Sequence, residues 1–124
     1  MSKVTVKVKS QLSQAVQAKL EQLNNPTTML AIHNTLAKRC DPYVPMLTGK
    51  LAESGMAHVT AEGVTYTTPY ARRQYYGDNF NHTTEFHPLA SARWDEAMMR
   101  DHGDEFLKEV QDILDWRMMK VGKY

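Results

Sequence analysis

From Lys3 to Lys9 apolar and polar positions alternate, with Val4, Val6 and Val8 on one face and Lys3, Thr5, Lys7 and Lys9 on the other. A period of two predicts a half-buried strand, and its lysines suit a sheet edge. From Ser10, a plausible cap, the period lengthens. Leu12, Val16, Leu20 and Leu23 form one helical stripe, which Asn24-Asn25-Pro26 should stop. A second helix is expected after a Thr27-Thr28 cap, with Met29, Ile32, Leu36 and Cys40 inward and Asp41-Pro42 at its end. Pro45 keeps the next residues extended, and Thr48-Gly49 opens a short helical turn to about Ser54 that Gly55 closes.

Residues 56–68 read as a hairpin, with Val59 on one strand, Val64 and Tyr66 on the other, and Glu62-Gly63 as the turn. Pro69 ends the second strand. Tyr70 to Tyr76 is short and helical or irregular, and Gly77 stops it. Residues 78–87, polar with Phe80 and Phe86, read as a surface loop. A long helix is expected from about Pro88, carrying Trp94, Met98, Phe106, Val110, Ile113 and Leu114 near one face. Asp95 and Glu96 suit its positive start, Arg117 and Lys120 its end, and Gly103 allows a kink near His102. The expected fold class is α+β. A small antiparallel sheet, built from the N-terminal strand and the central hairpin, is packed by two N-terminal helices and one long C-terminal helix. Its 124 residues suit one domain spanning 1–124.

Composition is that of a globular chain, at 42% hydrophobic and 23% charged residues. No apolar run approaches a membrane span or the core of a signal peptide, and Cys40 is the sole cysteine, so the expectation is intracellular synthesis. Charge is unevenly spread. Residues 1–50 hold seven Lys/Arg and two Asp/Glu (+5), residues 51–90 two and four (−2), and residues 91–124 six and eight (−2). The net +1 lacks the basic excess of a dedicated nucleic-acid binder. The split would let one end of the fold attract the opposite end of another copy, or merely solvate two faces.

Candidate chemistry is sparse. His82 and His87, with Glu85 between them, could ligate a metal, but zinc sites usually add a cysteine or a tight helical HxxxH pair, and here the histidines are five apart in a loop with Cys40 far off in sequence. Ser54 and His58 could be nucleophile and base, without a visible third partner. Gly49, Gly55, Gly63 and Gly77 are isolated turn glycines, not a phosphate loop. No catalytic, metal or cofactor site is expected.

The segment YTTPYARRQYYG, residues 66–77, holds four of the six tyrosines and two adjacent arginines. Three readings compete. Tyr70, Arg72, Arg73 and Tyr75 could stack unpaired bases, making the chain a small nucleic-acid-binding module. They could instead anchor a protein interface, where Tyr and Arg are enriched. Or Tyr66 and Tyr70 fill the core beside Trp94, with Arg72 and Arg73 pairing with the acidic last helix. A mixture of the last two is expected, with Tyr66 inward and Arg72, Arg73, Tyr75 and Tyr76 outward.

Three stretches, taken in order and spacing, carry a resemblance: Tyr43-Val44-Pro45-Met46-Leu47-Thr48-Gly49-Lys50-Leu51, then Thr68 through Gly77, then His87-Pro88-Leu89-Ala90 followed by Trp94. Over about residues 30–115 the chain resembles the minor capsid, or tail-completion, proteins of long-tailed double-stranded DNA phages. Leu47 departs from the acidic residue that many members carry before Thr-Gly. The resemblance implies a virion neck subunit, made in the host cytoplasm. It would assemble as a ring with copies of itself, between head-closure and tail proteins, and let DNA pass without enzymatic turnover. It further implies structural roles for Pro45, Thr48, Gly49, Leu51, Pro69, Gly77, Pro88 and Trp94. The expected subunit contacts are Tyr70, Arg72, Arg73, Tyr75, Tyr76, Phe80 and Phe86, meeting the acidic last helix of the next copy.

Overall fold

The computed structural model describes residues 3–8, 12–23, 25–45, 50–77 and 92–120. Strand β1 is Val4–Val6, β2 Val59–Thr60 and β3 Gly63–Tyr66. The helices are α1 (Gln14–Leu23), α2 (Pro26–Cys40), α3 (Lys50–Ala57), α4 (Ala71–Tyr76) and α5 (Trp94–Lys120), with a short 3-10 turn at Asp41–Tyr43. The sheet is antiparallel in the order β1-β3-β2. The expected α+β class and sheet composition are therefore found, and the lysine-flanked β1 is an edge strand. Val4 and Val6 face inward, and Val4 pairs with Tyr66 and Val6 with Val64.

Local chemistry moves several predicted boundaries. Ser10 lies outside the described residues. α1 starts at Gln14, where the Ser13 hydroxyl accepts from the Val16 N–H at 3.3 Å, and Leu12 precedes the helix as a core residue. α2 begins before the predicted Thr27-Thr28 cap. The Asn25 side chain accepts from the Thr27 N–H at 2.9 Å, and Pro26 occupies the first turn, where its missing N–H costs nothing. Thr28 is buried instead of capping.

α3 runs through Gly55 to Ala57 rather than stopping near Ser54. Gly55 faces the Tyr66 ring, where a Cβ would come within 2.7 Å of ring carbons, so this glycine permits close packing and does not end the helix. The hairpin turn is Ala61-Glu62, one residue earlier than predicted. The Thr60 hydroxyl makes the turn by accepting from the Glu62 N–H at 3.1 Å. Gly63 is a paired strand residue, with a Cβ position only 2.7 Å from the Val6 carbonyl oxygen.

α5 starts at Trp94. Ala92 and Arg93 are bends, and the predicted start at Pro88 lies outside the described residues. His102 interrupts α5 with φ −135° and ψ 23°, the kink expected beside Gly103. α2 packs against α5 on one side and against β2 and β3 on the other, and in the core Ile32, Leu36, Tyr43, Leu51, Trp94 and Phe106 are fully or almost fully buried. No described helix is long and apolar enough to cross a membrane.

The acidic residues of α5 do not form one open patch. Glu109 and Glu105 take Arg39 at 2.6 and 3.3 Å, Asp101 accepts from the Tyr43 hydroxyl at 2.9 Å, and Asp115 lies 4.0 Å from Lys19. These contacts bind α5 to α1, α2 and the 3-10 turn. On the exposed side Glu96, Arg100, Asp104, Lys108 and Asp112 alternate in sign, as a solvated helix face does.

Candidate functional site

Tyr66 ends β3, and the chain bends through Thr68 and Pro69, where the Ala71 N–H donates to the Thr68 carbonyl at 3.0 Å. The six residues of α4 follow, and Gly77 caps them. Helical spacing then divides the tyrosine-arginine segment. Ala71 and Tyr75, four apart, turn inward and are buried, whereas Arg72 and Tyr76 turn outward together and are exposed.

Tyr75 thus departs from the outward orientation expected of it. It lies edge-on to Trp94, with centroids 4.8 Å apart, while Tyr66 meets Trp94 in the same way at 5.0 Å. Three aromatic residues from β3, α4 and α5 make one wedge, a geometry that adds to simple area burial. The Tyr75 hydroxyl donates to Asp95 Oδ1 at 2.5 Å, and the Tyr75 carbonyl accepts from the Arg93 N–H at 2.9 Å. Burial, reinforced by the bond to Asp95, raises the Tyr75 phenol far above its ordinary range, so it stays a neutral donor. Asp95 is itself buried at the start of α5, where the helix dipole favours a carboxylate.

On this base stands an exposed cluster. The Tyr76 ring is 48% exposed, with the Arg72 guanidinium 5.1 Å from its centroid and that of Arg93 at 5.3 Å. Both distances fall in the cation–π range. Arg93 adopts φ 45°, a left-handed conformation that non-glycine residues adopt at a cost of about 1–3 kcal/mol. Its N–H donates to the Tyr75 carbonyl and its own carbonyl accepts from the Ala97 N–H, so the backbone is tied on both sides.

Of the expected contact residues, Arg72, Arg73 and Tyr76 are exposed, and Tyr70 is half-buried at the helix start. Phe80, Phe86, Pro88, Thr48 and Gly49, with the 78–87 loop and its His82, Glu85 and His87, lie outside the described residues. Pro45, Leu51 and Trp94 are buried, Pro69 is exposed in the bend, and Gly77 follows α4. Arg93 and the Tyr75–Asp95 bond were missed. The four-residue spacing of Ala71 and Tyr75 could have revealed the second, but nothing in the sequence pointed to the first.

Elsewhere, Ser54 and His58 do not make a nucleophile–base pair. The Ser54 hydroxyl donates to the Leu51 carbonyl at 2.7 Å, and the His58 ring meets the Ser54 carbonyl, not its hydroxyl. Among the described residues no group of three or more His, Cys, Asp or Glu is placed to hold a metal. A second exposed aromatic, Trp116, stands at the far end of α5 beside Arg117 and Ile113.

Comparison with curated proteins and with solved structures gave no match. The family model described as minor capsid protein matches residues 6–112, from the last residue of β1 through most of α5. The chain belongs to the minor capsid protein family, and is thereby a structural component of the phage particle from a family that is generally non-enzymatic.

Proposed function

We propose that this protein is a neck subunit. On this reading it assembles in several copies between the head-closure proteins and the tail, and completes the joining of the two. The observation that carries the proposal is the Arg72–Tyr76–Arg93 cluster, an aromatic anchor flanked by two guanidiniums on a base clamped by Tyr75 and Asp95. Tyr and Arg on a rigid base are the residue types that dominate binding energy at interfaces, because little side-chain freedom is lost on docking. The family supports a virion role, and the paired, alternating charges of α5 suit a subunit whose contacts come from another face.

The nucleic-acid reading loses support. It required Tyr70 and Tyr75 as stacking platforms, but Tyr75 is buried against Trp94 and Tyr70 is half-buried. One exposed ring, Tyr76, is a poor track for successive bases.

The test is infection by a phage that lacks the protein. Filled heads and free tails that cannot join, restored to infectious particles by the chain supplied in trans, are the expected result. Normal joining in its absence would refute the neck role.

A further inference from the structure

A groove between α1, the start of α2 and the β2–β3 turn lies apart from the exposed Tyr76 cluster. Gln17, Leu20, Glu21, Asn25, Pro26, Met29 and Ala61 line it, in a volume of about 270 Å³. A cleft that shares Met29 and Ala61 adjoins it and adds Lys7, His33 and Glu62. The groove lining therefore mixes proline, methionine, leucine and alanine with Gln17, Glu21 and Asn25. Glu21 in the groove and Glu62 in the adjoining cleft are exposed, and Lys7 lines the cleft with Glu62.

Two elements fix where this groove lies relative to Tyr76. β3 begins directly after the Ala61-Glu62 turn and ends at Tyr66, four residues before the last position preceding α4. α5 starts beside the Tyr76 cluster at Trp94 and reaches Asp115, which pairs with Lys19 next to the groove residue Leu20. The groove is formed by α1, the start of α2 and the Ala61-Glu62 turn, and α4 contributes no residue to it. Tyr76 therefore does not line the groove of its own chain.

We propose that the Tyr76 side of one copy docks into the Met29–Ala61 groove of the next, a head-to-tail contact that rests on the neck reading above. Tyr76 enters over Met29 and Pro26, where thioether and proline faces suit an aromatic ring. Arg72 and Arg93 then meet Glu21 and Glu62 at the rim, so the charges match across the contact. Because the two patches differ, the contact propagates from copy to copy and closes only if the rotation allows.

Cysteine cross-linking in purified particles tests the contact, since the native Cys40 is buried and silent. Chains carrying Tyr76→Cys and Ala61→Cys together, treated with a short bismaleimide, are expected to give a ladder of dimers, trimers and longer species. Either substitution alone should give monomer. A monomer-only lane from the double variant, with the chain present in the particles, overturns this contact and leaves the neck reading standing. Dimers from Tyr76→Cys alone overturn it in favour of a two-fold contact. Absence of the unsubstituted chain from particles overturns both readings. As an independent measurement, Arg72→Glu should lower phage titre and Glu62→Arg in the same chain should restore it by about tenfold or more. A double variant no better than Arg72→Glu overturns the pairing.

Discussion

The Tyr75 hydroxyl donates to the Asp95 carboxylate at 2.5 Å, and both residues are buried. This bond fastens the last turn of α4 to the first turn of α5 and closes the base on which Arg72, Tyr76 and Arg93 stand. Removing the hydroxyl leaves a buried carboxylate short of a donor. Tyr75→Phe should therefore lower unfolding free energy by about 1–3 kcal/mol, measured by urea titration. Asp95→Asn should also destabilise, and the double variant should cost less than the two single losses combined, by about 0.5–3 kcal/mol. Strict additivity would show that the two groups do not interact.

Two glycines in helices should respond oppositely to alanine. At Gly55 the new methyl meets the Tyr66 ring, itself held edge-on against Trp94, so Gly55→Ala should cost about 1–3 kcal/mol. At Gly103 the nearest atom is the Met99 methyl at 3.3 Å, the free end of a flexible side chain. There the gain in helix propensity, up to about 1 kcal/mol, should leave Gly103→Ala neutral or stabilising. Calorimetric melting of both variants checks the contrast, and a tolerated Gly55→Ala would contradict the packing described.

How much of this was legible beforehand differs by element. β1 was readable because one face is buried and the other wet, so alternation reports the fold directly. The start of α2 was misplaced because Thr27-Thr28 and Asn25-Pro26 are both good start signals, and the side chain that bonds is Asn25. The hairpin turn shifted because the Thr60 hydroxyl supplied what a glycine had been expected to supply. At the site, grouping Tyr75 with Tyr76 by composition concealed that adjacent helical residues point apart. The role of Arg93 depends on the chain returning beside Tyr75 after residues 78–91, and no local pattern encodes that.

His33 makes stability depend on pH. It is buried, with Nδ1 3.1 Å from the Thr60 carbonyl and Nε2 accepting from the Val8 N–H at 3.2 Å. Nδ1 therefore carries the proton, and protonating Nε2 would break the tie to Val8. Burial is the main cause that holds its pKa below 6.5. The unfolded chain takes up this proton first, so the stability from neutral His33 is complete above about pH 6.5 and falls as pH drops below it, by up to about 1.4 kcal/mol per unit. Asp101, through its bond from Tyr43, and Glu105, through His102, are also held low, but their contribution is lost in the carboxylate range. Urea midpoints at pH 7.5, 6.0 and 5.0 should fall for the native chain. His33→Gln, weaker at pH 7.5, should show a flatter profile, and an equal slope in both would exclude His33 as the cause.

The exposed cluster should matter more for assembly than for folding. Arg72 is exposed, whereas the half-exposed Tyr76 ring lies edge-on to Tyr75 at 4.9 Å, so Arg72→Ala should change stability by no more than about 0.5 kcal/mol and Tyr76→Ala should cost about 0.5–1.5 kcal/mol. The decisive measurement is complementation by the Arg72→Ala/Tyr76→Ala double variant, with its melting temperature checked on the purified chain. The expected result is a folded protein that fails to restore infectivity and leaves filled heads beside unattached tails. Full infectivity from that variant would contradict the claim that this protein works by presenting Tyr76 and its arginines to a neighbour.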